Sequence, residues 1–491
     1  MKIAVLADLH LTEGDRTVKH AVLDWVVSEL QERRPDIVAL IGDMTAFGTP
    51  HQNRMLIRSL LLLGIPYCST PGNAELRSTP ENGRLWDIRP APGIPLVLAD
   101  SSTYELPESD LEKLRSLPDG AGYLLATHVP PYEWNEAARA VLDETRSRGA
   151  VTAVIAGHQH NDGEERLRGL DPDKAAGGAP RFDLFDNAGG SWSRTPVEMS
   201  EADVRTWPES ERLALFSHFG VSAMWETLET LEAACALGIP HVEFRYSALE
   251  RVSDSELKAA IDRWRGVCGK TLSMHLPNLR PEDGGVLAEA VGRTLELGCD
   301  RVTLHVPAVT AAEFPAQRER LIANFLRDMK PLLDAGIDIG IENLHTTPGK
   351  ESDDARNFGC TIGECRSWIE ALRQAAGGNE RIGFHLDIGH ARNNKPFNSF
   401  ENLSDYYAEL GGITNGCHFH QVSPQPSSGD SGNHTPFTGL YDKLISLAGF
   451  FLAWRCGQFP HKPALFLEIR GAGAGVASYR TMKELITGAK Q

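Results

Sequence analysis

Short apolar segments alternate with helix-length amphipathic segments along the whole chain. In the first part of the chain, apolar runs predict strands, and the apolar spacing over 18–33 predicts a helix. The predicted strands are 3–7, 37–41, 123–127, 153–156 and 182–185. Polar residues follow each of these strands, as is typical where the strands of an α/β sheet end in loops that carry function.

The alternation continues beyond residue 210 with a period of roughly 30 to 40 residues. The predicted strands there are 213–219, 241–246, 271–276, 301–306, 338–344, 381–388, 416–422 and 464–469. Eight such units in about 280 residues favour a (β/α)8 barrel, in which functional residues lie at the C-terminal strand ends. The pattern therefore predicts an α/β fold, with an N-terminal α/β sandwich followed by a C-terminal (β/α)8 TIM barrel.

A chain of 491 residues is long for one domain and allows two that each bury a core. Residues 196–210 are polar and include Pro196 and Pro208, so they are the predicted linker. The predicted domains are therefore 1–195 and 211–491. The stretch 167–180 is rich in Gly, Asp and Ala and is predicted to be a surface loop.

Composition narrows the choice of partners. A formal net charge of -17 disfavours nucleic acid as the partner, without excluding a local basic patch. The eight cysteines are scattered and form no Cys-x-x-Cys pair, which predicts reduced thiols in a cytoplasmic protein. The apolar run 444–454 is shorter than the roughly 20 residues that cross a bilayer, so no membrane partner is expected. The oligomeric state is left open.

Side chains suited to divalent metals follow the strands of the first half. They are Asp8, His10, Asp43, Asn73, His128, His158 and His160. Within each of the pairs 8/10 and 158/160, strand alternation would place both side chains on the same side. Carboxylate, imidazole and amide ligands in this number suit two metals that share a carboxylate, a type of site that clamps a phosphoryl group and activates water.

The same residues lie in five ordered motif blocks. The blocks are Asp8-Leu9-His10, Gly42-Asp43, Gly72-Asn73-Ala74-Glu75, His128 and Gly157-His158-Gln159-His160. They resemble the DxH, GD, GNH(D/E), H and GHxH blocks of the calcineurin-like metallophosphoesterase family. The resemblance implies two divalent metals (Mn, Fe or Zn), with Asp43, Asn73 and His128 at the catalytic centre. One metal would be held by Asp8, His10, Asp43 and His160, and the other by Asp43, Asn73, His128 and His158.

Ala74 departs from the family pattern, which commonly has His there beside the leaving oxygen and the phosphate. Loss of a positioned acid typically costs about 10²- to 10⁴-fold in rate. Three explanations are open: a natural variant that acts on good leaving groups, a donor from elsewhere such as His51 or the second domain, or a deliberately introduced inactivating change. Ala74 removes none of the predicted metal ligands.

Four further polar residues end predicted strands of the barrel: Glu342, Asp387, His420 and Glu468. Three carboxylates and one imidazole at a barrel mouth suit one or more divalent ions such as Mn, Mg, Co or Zn. Glu243 and Arg245, at the end of the second predicted strand, are expected either to pair with each other or to bind substrate.

This half resembles the xylose-isomerase-like TIM-barrel superfamily, in which Glu, Asp, His and Glu ligands occur in the same order. The epimerase branch implies that Glu342 and Glu468 also act as the acid and base, and that His390 contacts the substrate. His275, His305 and Arg470 are further candidate substrate-binding residues.

The endonuclease IV branch of the same superfamily implies a different use of these histidines. There, His275 and His305 resemble ligands of an extra metal. A third metal would need His390 and an Asp-x-His element, but no Asp stands two residues before His434. Phosphodiester cleavage by the barrel is therefore disfavoured.

Three functions compete. The favoured one is a bifunctional enzyme that hydrolyses a phosphoester in one domain and isomerises or epimerises a sugar or polyol, free or phosphorylated, in the other. A nucleic-acid phosphodiesterase resembling an abasic-site endonuclease is the second, and net charge and the missing Asp count against it. In the third, one domain is catalytically degenerate and regulatory, with Ala74 making the first half the candidate.

Overall fold

The computed structural model describes residues 1–14, 16–79, 81, 86–188, 191–282, 285–347, 349–393, 401–423 and 433–489. The chain divides into two compact units. The first contains Met1–Asp203 and Tyr441–Leu452, and the second contains Val204–Leu440 and Ala453–Gln491. The division after Asp203 falls inside the predicted linker. The assignment of Tyr441–Leu452 to the first unit was not expected from the sequence, because the predicted second domain included these residues.

The first unit is an α/β sandwich of two sheets, as predicted. Its strands are β1 (Lys2–Leu6), β2 (Ile37–Ile41), β3 (Tyr67–Thr70), β4 (Leu96–Ala99), β5 (Tyr123–Thr127), β6 (Val151–Ala156), β7 (Arg181–Ala188) and β8 (Ser191–Glu198). One sheet has the order β3-β2-β1-β7-β8 and the other the order β4-β5-β6. Ile3, Ile37, Leu98, Leu124 and Ile155 belong to one buried apolar cluster, so the two sheets share a core.

Helices flank these sheets. They are α1 (Val18–Arg33), α2 (Pro50–Leu61), α3 (Glu108–Arg115) and α4 (Glu136–Ser147). The predicted helix over 18–33 is therefore confirmed. At the start of α2, Thr49 accepts a hydrogen bond from the Gln52 N–H at 3.3 Å, and Pro50 occupies the first turn. Both features favour a helix start at this point.

The last three residues of strand β8, 196–198, fall at the beginning of the predicted linker. The strand pairs antiparallel with β7 along its whole length, and most of its residues are exposed or half-buried. An edge strand tolerates a proline such as Pro196, because one side of the strand makes no ladder hydrogen bonds. The polar composition and the proline therefore indicated an edge strand rather than a linker.

The prediction of a surface loop at 167–180 is wrong. Most of this stretch is buried, including Leu167, Leu170 and Asp171. The segment Tyr441–Leu452 binds it through backbone hydrogen bonds: Gly177 N–H donates to Tyr441 O at 2.8 Å, and Ser446 N–H donates to Asp173 O at 3.0 Å. The stretch is buried because a segment distant in the chain covers it.

The second unit is a closed barrel of parallel strands, as predicted. The strands are β9 (Phe219–Ala223), β10 (His241–Arg245), β11 (Thr271–His275), β12 (Arg301–His305), β13 (Asp338–Glu342), β14 (Ile382–Asp387), β15 (Thr414–Phe419) and β16 (Ala464–Leu467). The barrel closes where β16 pairs with β9. The helices after Asp203 are α5 (Glu209–Phe216), α6 (Thr227–Leu237), α7 (Asp254–Val267), α8 (Val286–Glu296), α9 (Phe314–Asp334), α10 (Ile362–Ala375), α11 (Ile388–Arg392), α12 (Leu403–Leu410), α13 (Ala448–Arg455) and α14 (Ala474–Thr487).

The prediction of a first barrel strand at 213–219 is wrong, because most of that range lies in helix α5. The helix follows Pro208 and carries Glu209 and Glu211 in its first turn, where acidic side chains complement the helix dipole. Leu213 is half exposed, whereas Leu215 and Phe216 are buried. The apolar run is therefore one face of a helix, and the strand begins only at Phe219.

Two further properties concern the helices and the cysteines. None of the helices that the structure describes is both long and apolar enough to cross a membrane. All eight cysteines are free thiols in the structure.

Candidate metal centres

Five of the predicted ligands in the first unit have left-handed backbone conformations. The φ angles are 57° for Asp8, 48° for His10, 51° for Asp43, 68° for His158 and 51° for His160. Residues other than glycine seldom adopt this conformation, and those that do are concentrated at functional sites. The expectation that strand alternation aligns each pair is wrong, because these residues lie beyond the ends of β1 and β6.

The structure brings all seven predicted ligands of this unit together. Asp8, His10 and His160 form one group whose ligand atoms lie within 4.8 Å of one another, and Asp43, His128 and His158 form a second. Asn73 Oδ1 is 3.1 Å from His128 Nε2, which places it at the second group.

Asp43 lies between the two groups. Its Oδ2 is 3.6 Å from His10 Nε2, and its Oδ1 is 3.4 Å from His128 Nε2. This is the arrangement expected of a carboxylate that bridges two metals.

The imidazoles of His10 and His160 face each other in the first group. Their Nε2 atoms are 3.3 Å apart, and both side chains are buried. Burial lowers the pKa of His10 well below its usual range and that of His160 to about 3, and nearby lysines add to both effects. Two neutral imidazoles that face each other nitrogen to nitrogen are typical of a metal site.

Charges within the site oppose the effect of burial on some groups. Burial raises the pKa of Asp8 to about 8, with the Asp43 charge adding to the rise and His128 opposing it. For Asp43, burial also raises the pKa, but interactions with His128, the Ala74 N–H and Arg77 together hold it below the usual range. The pKa of His128 is raised to about 9 by Asp43, although burial opposes this rise. The site thus concentrates negative charge at Asp43.

Glu75 holds Asp43 in place. Its carboxylate accepts hydrogen bonds from the N–H groups of Asp43 and Gly72, both at 2.8 Å, and from the N–H and hydroxyl of Thr45 at 2.9 and 3.0 Å. Ala74 N–H donates to Asp43 Oδ1 at 2.7 Å. The 72–75 turn therefore orients the carboxylate of Asp43, although the side chain at 74 is only a buried methyl group.

Several residues at this site were not predicted from the sequence. Lys19 is fully buried, where its Nζ donates to Asp171 Oδ2 at 3.1 Å and to the backbone oxygen of His10 at 3.2 Å. Tyr104 contacts His158, and Lys443 donates to Gln159 at 2.8 Å. No local pattern identifies these residues, because each comes from a segment remote from the motifs. His51 lies exposed on α2.

In the barrel, the predicted residues lie at one end of the strands. His275, His305, Glu342 and Asp387 are the last residues of β11, β12, β13 and β14, and His420 and Glu468 directly follow β15 and β16. Parallel strands end at the same rim, so these side chains meet there.

Glu342 is at the centre of this cluster. Its Oε2 is 3.1 Å from His275 Nε2 and 3.4 Å from His305 Nε2. Its Oε1 is 3.1 Å from His418 Nδ1, which is also 3.1 Å from Glu468 Oε2. His420 Nε2 is 2.9 Å from Asp387 Oδ1. The predicted ligands therefore surround one small buried space.

The donor set of this space fits a divalent cation. Among the described residues, Glu342 Oε2, Glu468 Oε2 and His275 Nε2 are buried atoms without a hydrogen bond. Although imidazole nitrogens lie close to these oxygens, a buried carboxylate oxygen without a well-formed hydrogen bond is costly, and a divalent cation would compensate that cost. Burial alone would raise the pKa values of Glu342 and Glu468, but neighbouring histidines, His305 and His418 among them, hold both well below the usual range.

A second histidine group lies beside this space. His390, His420 and His434 offer ligand atoms within 4.8 Å of one another, and all three are buried. His390 was predicted to bind substrate, and His434 was not predicted as a site residue at all. Residues 430–432, on which the doubt about a third metal depends, lie outside the described residues.

Glu243 and Arg245 do not pair with each other, so that alternative is wrong. Glu243 accepts a hydrogen bond from His418 Nε2 at 2.6 Å and others from Ser273 and Thr303 at 2.7 Å. Arg245 instead donates to Glu468 Oε1 at 2.8 Å. Both residues therefore support the predicted ligands, and His418 is a central site residue that sequence reasoning missed although it lies two residues before His420.

Family models match the two halves. The model described as calcineurin-like phosphoesterase matches residues 1–162, and the model described as xylose isomerase-like TIM barrel matches residues 231–451. The chain joins a calcineurin-like phosphoesterase domain to a xylose isomerase-like TIM barrel. Both families are typically enzymatic and commonly bind divalent metals.

Several solved structures are similar to this chain. A D-tagatose 3-epimerase-like protein is 17% identical, with a TM-score of 0.40, over 55% of this chain and 98% of that one. D-allulose 3-epimerase from Methylomonas sp. is 13% identical, with a TM-score of 0.38, over 55% and 94%. Endonuclease IV from Thermus thermophilus is 16% identical, with a TM-score of 0.38, over 55% and 99%. No curated protein matches the chain.

The two domains place the remaining predicted residues differently. In the phosphoesterase domain, all predicted residues lie within the two ligand groups. In the barrel, His275, His305 and His390 lie among the predicted ligands, whereas Arg470 is exposed and its N–H donates to His434 O at 3.0 Å. The roles of these residues in metal or substrate binding stay predictions.

Proposed function

We propose that this chain is a bifunctional, cytoplasmic metalloenzyme of small-molecule metabolism. Its phosphoesterase domain hydrolyses a phosphate ester, and its barrel isomerises or epimerises a sugar or polyol, free or phosphorylated. The observation that carries the proposal is that each unit has its own buried set of carboxylates and imidazoles at strand ends. A purely structural domain has no need for such a set, since buried polar groups cost stability.

The first reaction depends on how the phosphoesterase domain arranges its ligands. Divalent metals at such a site polarise the phosphoryl group and activate water for attack. Asp43 lies between the two ligand groups. Glu75 orients it by accepting a hydrogen bond from the Asp43 N–H, with 2.8 Å between the nitrogen and Glu75 Oε2. Asn73 and His128 lie at the second ligand group, where Asn73 Oδ1 is 3.1 Å from His128 Nε2.

In the barrel, Glu342 and Glu468 are the proposed acid and base. Together with Asp387 and His420 they would hold a divalent metal, which would supply polarisation of a substrate oxygen and so make proton removal at the adjacent carbon feasible. Both carboxylates approach His418 Nδ1 at 3.1 Å, so they line the same space. Arg245 binds the second oxygen of Glu468 and keeps that carboxylate oriented,.

A nucleic-acid phosphodiesterase is the second candidate for the barrel. It is favoured by the two histidine-rich groups beside the main ligand set, namely His275 and His305 with Glu342, and His390 and His434 with His420. These groups offer room for additional metals. The net charge of -17 argues against this candidate, because nucleic-acid binding depends on neutralising phosphates with cationic side chains.

Metal content is the first test. We expect elemental analysis of the purified chain to find about three or more divalent ions per molecule, two in the phosphoesterase domain and at least one in the barrel. Removal by a chelator should abolish both activities, and Mn, Zn or Co should restore them. A content of one ion or none would contradict the proposal.

Single substitutions test which domain performs which reaction. We expect Asp43→Asn to reduce hydrolysis of phosphomonoesters and phosphodiesters at least ~100-fold and to leave sugar epimerisation intact. Glu342→Gln should have the opposite effect, and the exposed Asp186→Asn and Glu232→Gln are matched controls. Cleavage of abasic-site DNA that is lost in Glu342→Gln and retained in Asp43→Asn would establish the second candidate instead.

A further inference from the structure

Tyr104 lies at the edge of the phosphoesterase site, beside the predicted ligand His158. Its ring meets the His158 ring edge-on, with centroids 5.5 Å apart and planes at 84°. Its hydroxyl oxygen is 3.2 Å from His158 Nε2. The side chain is 42% exposed, so part of it faces solvent. The phenol is therefore within reach of a molecule that approaches the ligand groups from solution.

The backbone of Tyr104 is held in an unfavourable conformation. Its φ is 67°, in the left-handed region that bulky L-residues avoid,. Its N–H donates to Ser101 O at 2.8 Å, and Ser101 Oγ accepts from Val129 N–H at 2.7 Å. Since Val129 directly follows His128, the loop that carries Tyr104 is tied to a second ligand-bearing segment. Strain that the surrounding structure maintains is concentrated at functional sites.

The two nitrogens of His158 determine how the Tyr104 hydroxyl is used. Nδ1 is 3.3 Å from His128 Nε2, within the second ligand group, whereas Nε2 faces Tyr104. If Nδ1 is the ligand atom, Nε2 carries the ring proton and donates a hydrogen bond to the phenolic oxygen. The phenolic hydrogen is then available to another acceptor, and within the described part of the chain this hydroxyl makes no further hydrogen bond.

Residue 74 supplies no such donor to a substrate. The Ala74 side chain is a buried methyl group, and its N–H is already bonded to Asp43 Oδ1. A phosphoryl group at the two ligand groups carries negative charge that donors from the protein stabilise during hydrolysis.

We propose that the Tyr104 hydroxyl donates a hydrogen bond to the phosphoryl group of the bound ester and so provides the donor that residue 74 lacks. The inference rests on the proposed phosphoesterase function. Hydrolysis forms a bond between a water oxygen and phosphorus and breaks the bond from phosphorus to the leaving oxygen. The attacking water releases a proton to solvent and the leaving oxygen takes one from solvent, so the phenol keeps its own proton. Tyr104 thus stabilises charge on the phosphoryl oxygens, and the ligand it recognises is a phosphate ester or inorganic phosphate.

Removal of one hydroxyl group tests this role in the full-length, metal-loaded protein. We expect Tyr104→Phe to lower kcat/KM for an aryl phosphate ester about 10- to 100-fold and to weaken competitive inhibition by inorganic phosphate about tenfold. Metal content should equal that of the wild type. Tyr123→Phe is the matched control, because Tyr123 starts the strand whose other end precedes His128, and it should change neither value.

A second donor provides an independent test. In an Ala74→His background, Tyr104→Phe should cost less activity than in the wild type, because the imidazole then supplies a hydrogen bond of the same kind. Wild-type activity and phosphate inhibition in Tyr104→Phe, or an equal loss in both backgrounds, would overturn the role of Tyr104 and leave the proposed function intact. If neither the wild type nor Ala74→His hydrolyses any ester or binds phosphate, the proposed function itself fails, and the inference fails with it.

Discussion

Glu401 is a partly buried carboxyl group whose titration affects the stability of the barrel unit. Both of its oxygens accept a hydrogen bond from the Ile362 N–H, at 3.1 and 3.2 Å, at the start of α10. Burial raises the pKa of Glu401 to about 7, the charges of Asp405 and Glu364 add to the rise, and the Ile362 N–H opposes it. The folded state therefore binds this proton more tightly than the unfolded chain does.

The raised pKa fixes the direction of the pH dependence. The stability contributed by protonated Glu401 is fully present below the unfolded pKa of about 4.5 and is lost as pH rises through about 7,. We expect Glu401→Gln to stabilise the protein relative to the wild type at pH 8, by on the order of 1 kcal/mol, and by less at pH 5. Melting temperatures at the two pH values provide the measurement, with the exposed Glu232→Gln as control. A difference that does not change with pH would contradict this account.

Single residues also show how far the sequence predicts the sites. The residue types and the order of the ligands were readable, since carboxylates and imidazoles at strand ends are poor core material. The left-handed backbone conformation of these ligands could not be predicted, because residues such as Asp8 and His158 adopt it only where the surrounding chain holds them in it,. His418 was missed because its partners Glu243, Glu342 and Glu468 come from three other strands.

At the scale of elements, the close approach of α11 to the end of β15 positions a predicted ligand. Asp387 caps α11 by accepting the His390 N–H at 2.7 Å, and a Cβ on Gly389 would overlap the His420 ring. Only glycine lets the helix start and the His420 ring lie this close.

We expect Gly389→Ala to displace His420 from Asp387 and to weaken metal binding by the barrel about 10- to 100-fold. Barrel activity should fall by a similar factor, and phosphoester hydrolysis should be unchanged. Metal titration of the two variants is the measurement. Gly292→Ala in α8 is the control, since a Cβ there meets open space, and it should leave metal binding unaffected and raise stability by about 0.5 to 1 kcal/mol. Equal metal affinity in Gly389→Ala and the wild type would disprove the steric argument.

The periodicity of the chain predicted most strands to within a few residues, because apolar alternation directly reflects which positions face a core. It did not predict β3 or β4. It failed at residues 213–219, where a short apolar run suits a strand and a buried helix face equally. It also failed at residues 196–198, which were assigned to a linker but end the exposed edge strand Ser191–Glu198.

At the scale of the whole molecule, the phosphoesterase unit is completed by a segment from late in the chain. Tyr441–Leu452 covers the stretch 167–180 through hydrogen bonds that include Gly449 N–H to Pro172 O at 3.0 Å. The Tyr441 hydroxyl donates to Asp203 at 2.9 Å. The first unit is thus discontinuous in sequence.

A fragment of residues 1–203 lacks this cover. We expect amide hydrogens in 167–180 to exchange at least about tenfold faster in the fragment than in the full chain, because they lose their protection from solvent. Hydrogen exchange measured by mass spectrometry gives the comparison, and the β1 and β2 amides are the internal control. Equal protection of 167–180 in both proteins would show that the late segment contributes nothing to this unit.

The sequence by itself determined the alternation of strands and helices, the two fold types and the chemical character of both ligand sets. These depend on local periodicity and on which side chains are unsuited to a core. Only the tertiary structure decided that Asp43 lies between two groups, that His418 joins Glu342 to Glu468, and that Tyr441–Leu452 belongs with the first unit. The physical reason is that contacts between residues far apart in the chain depend on how whole elements pack, and no local pattern carries that information.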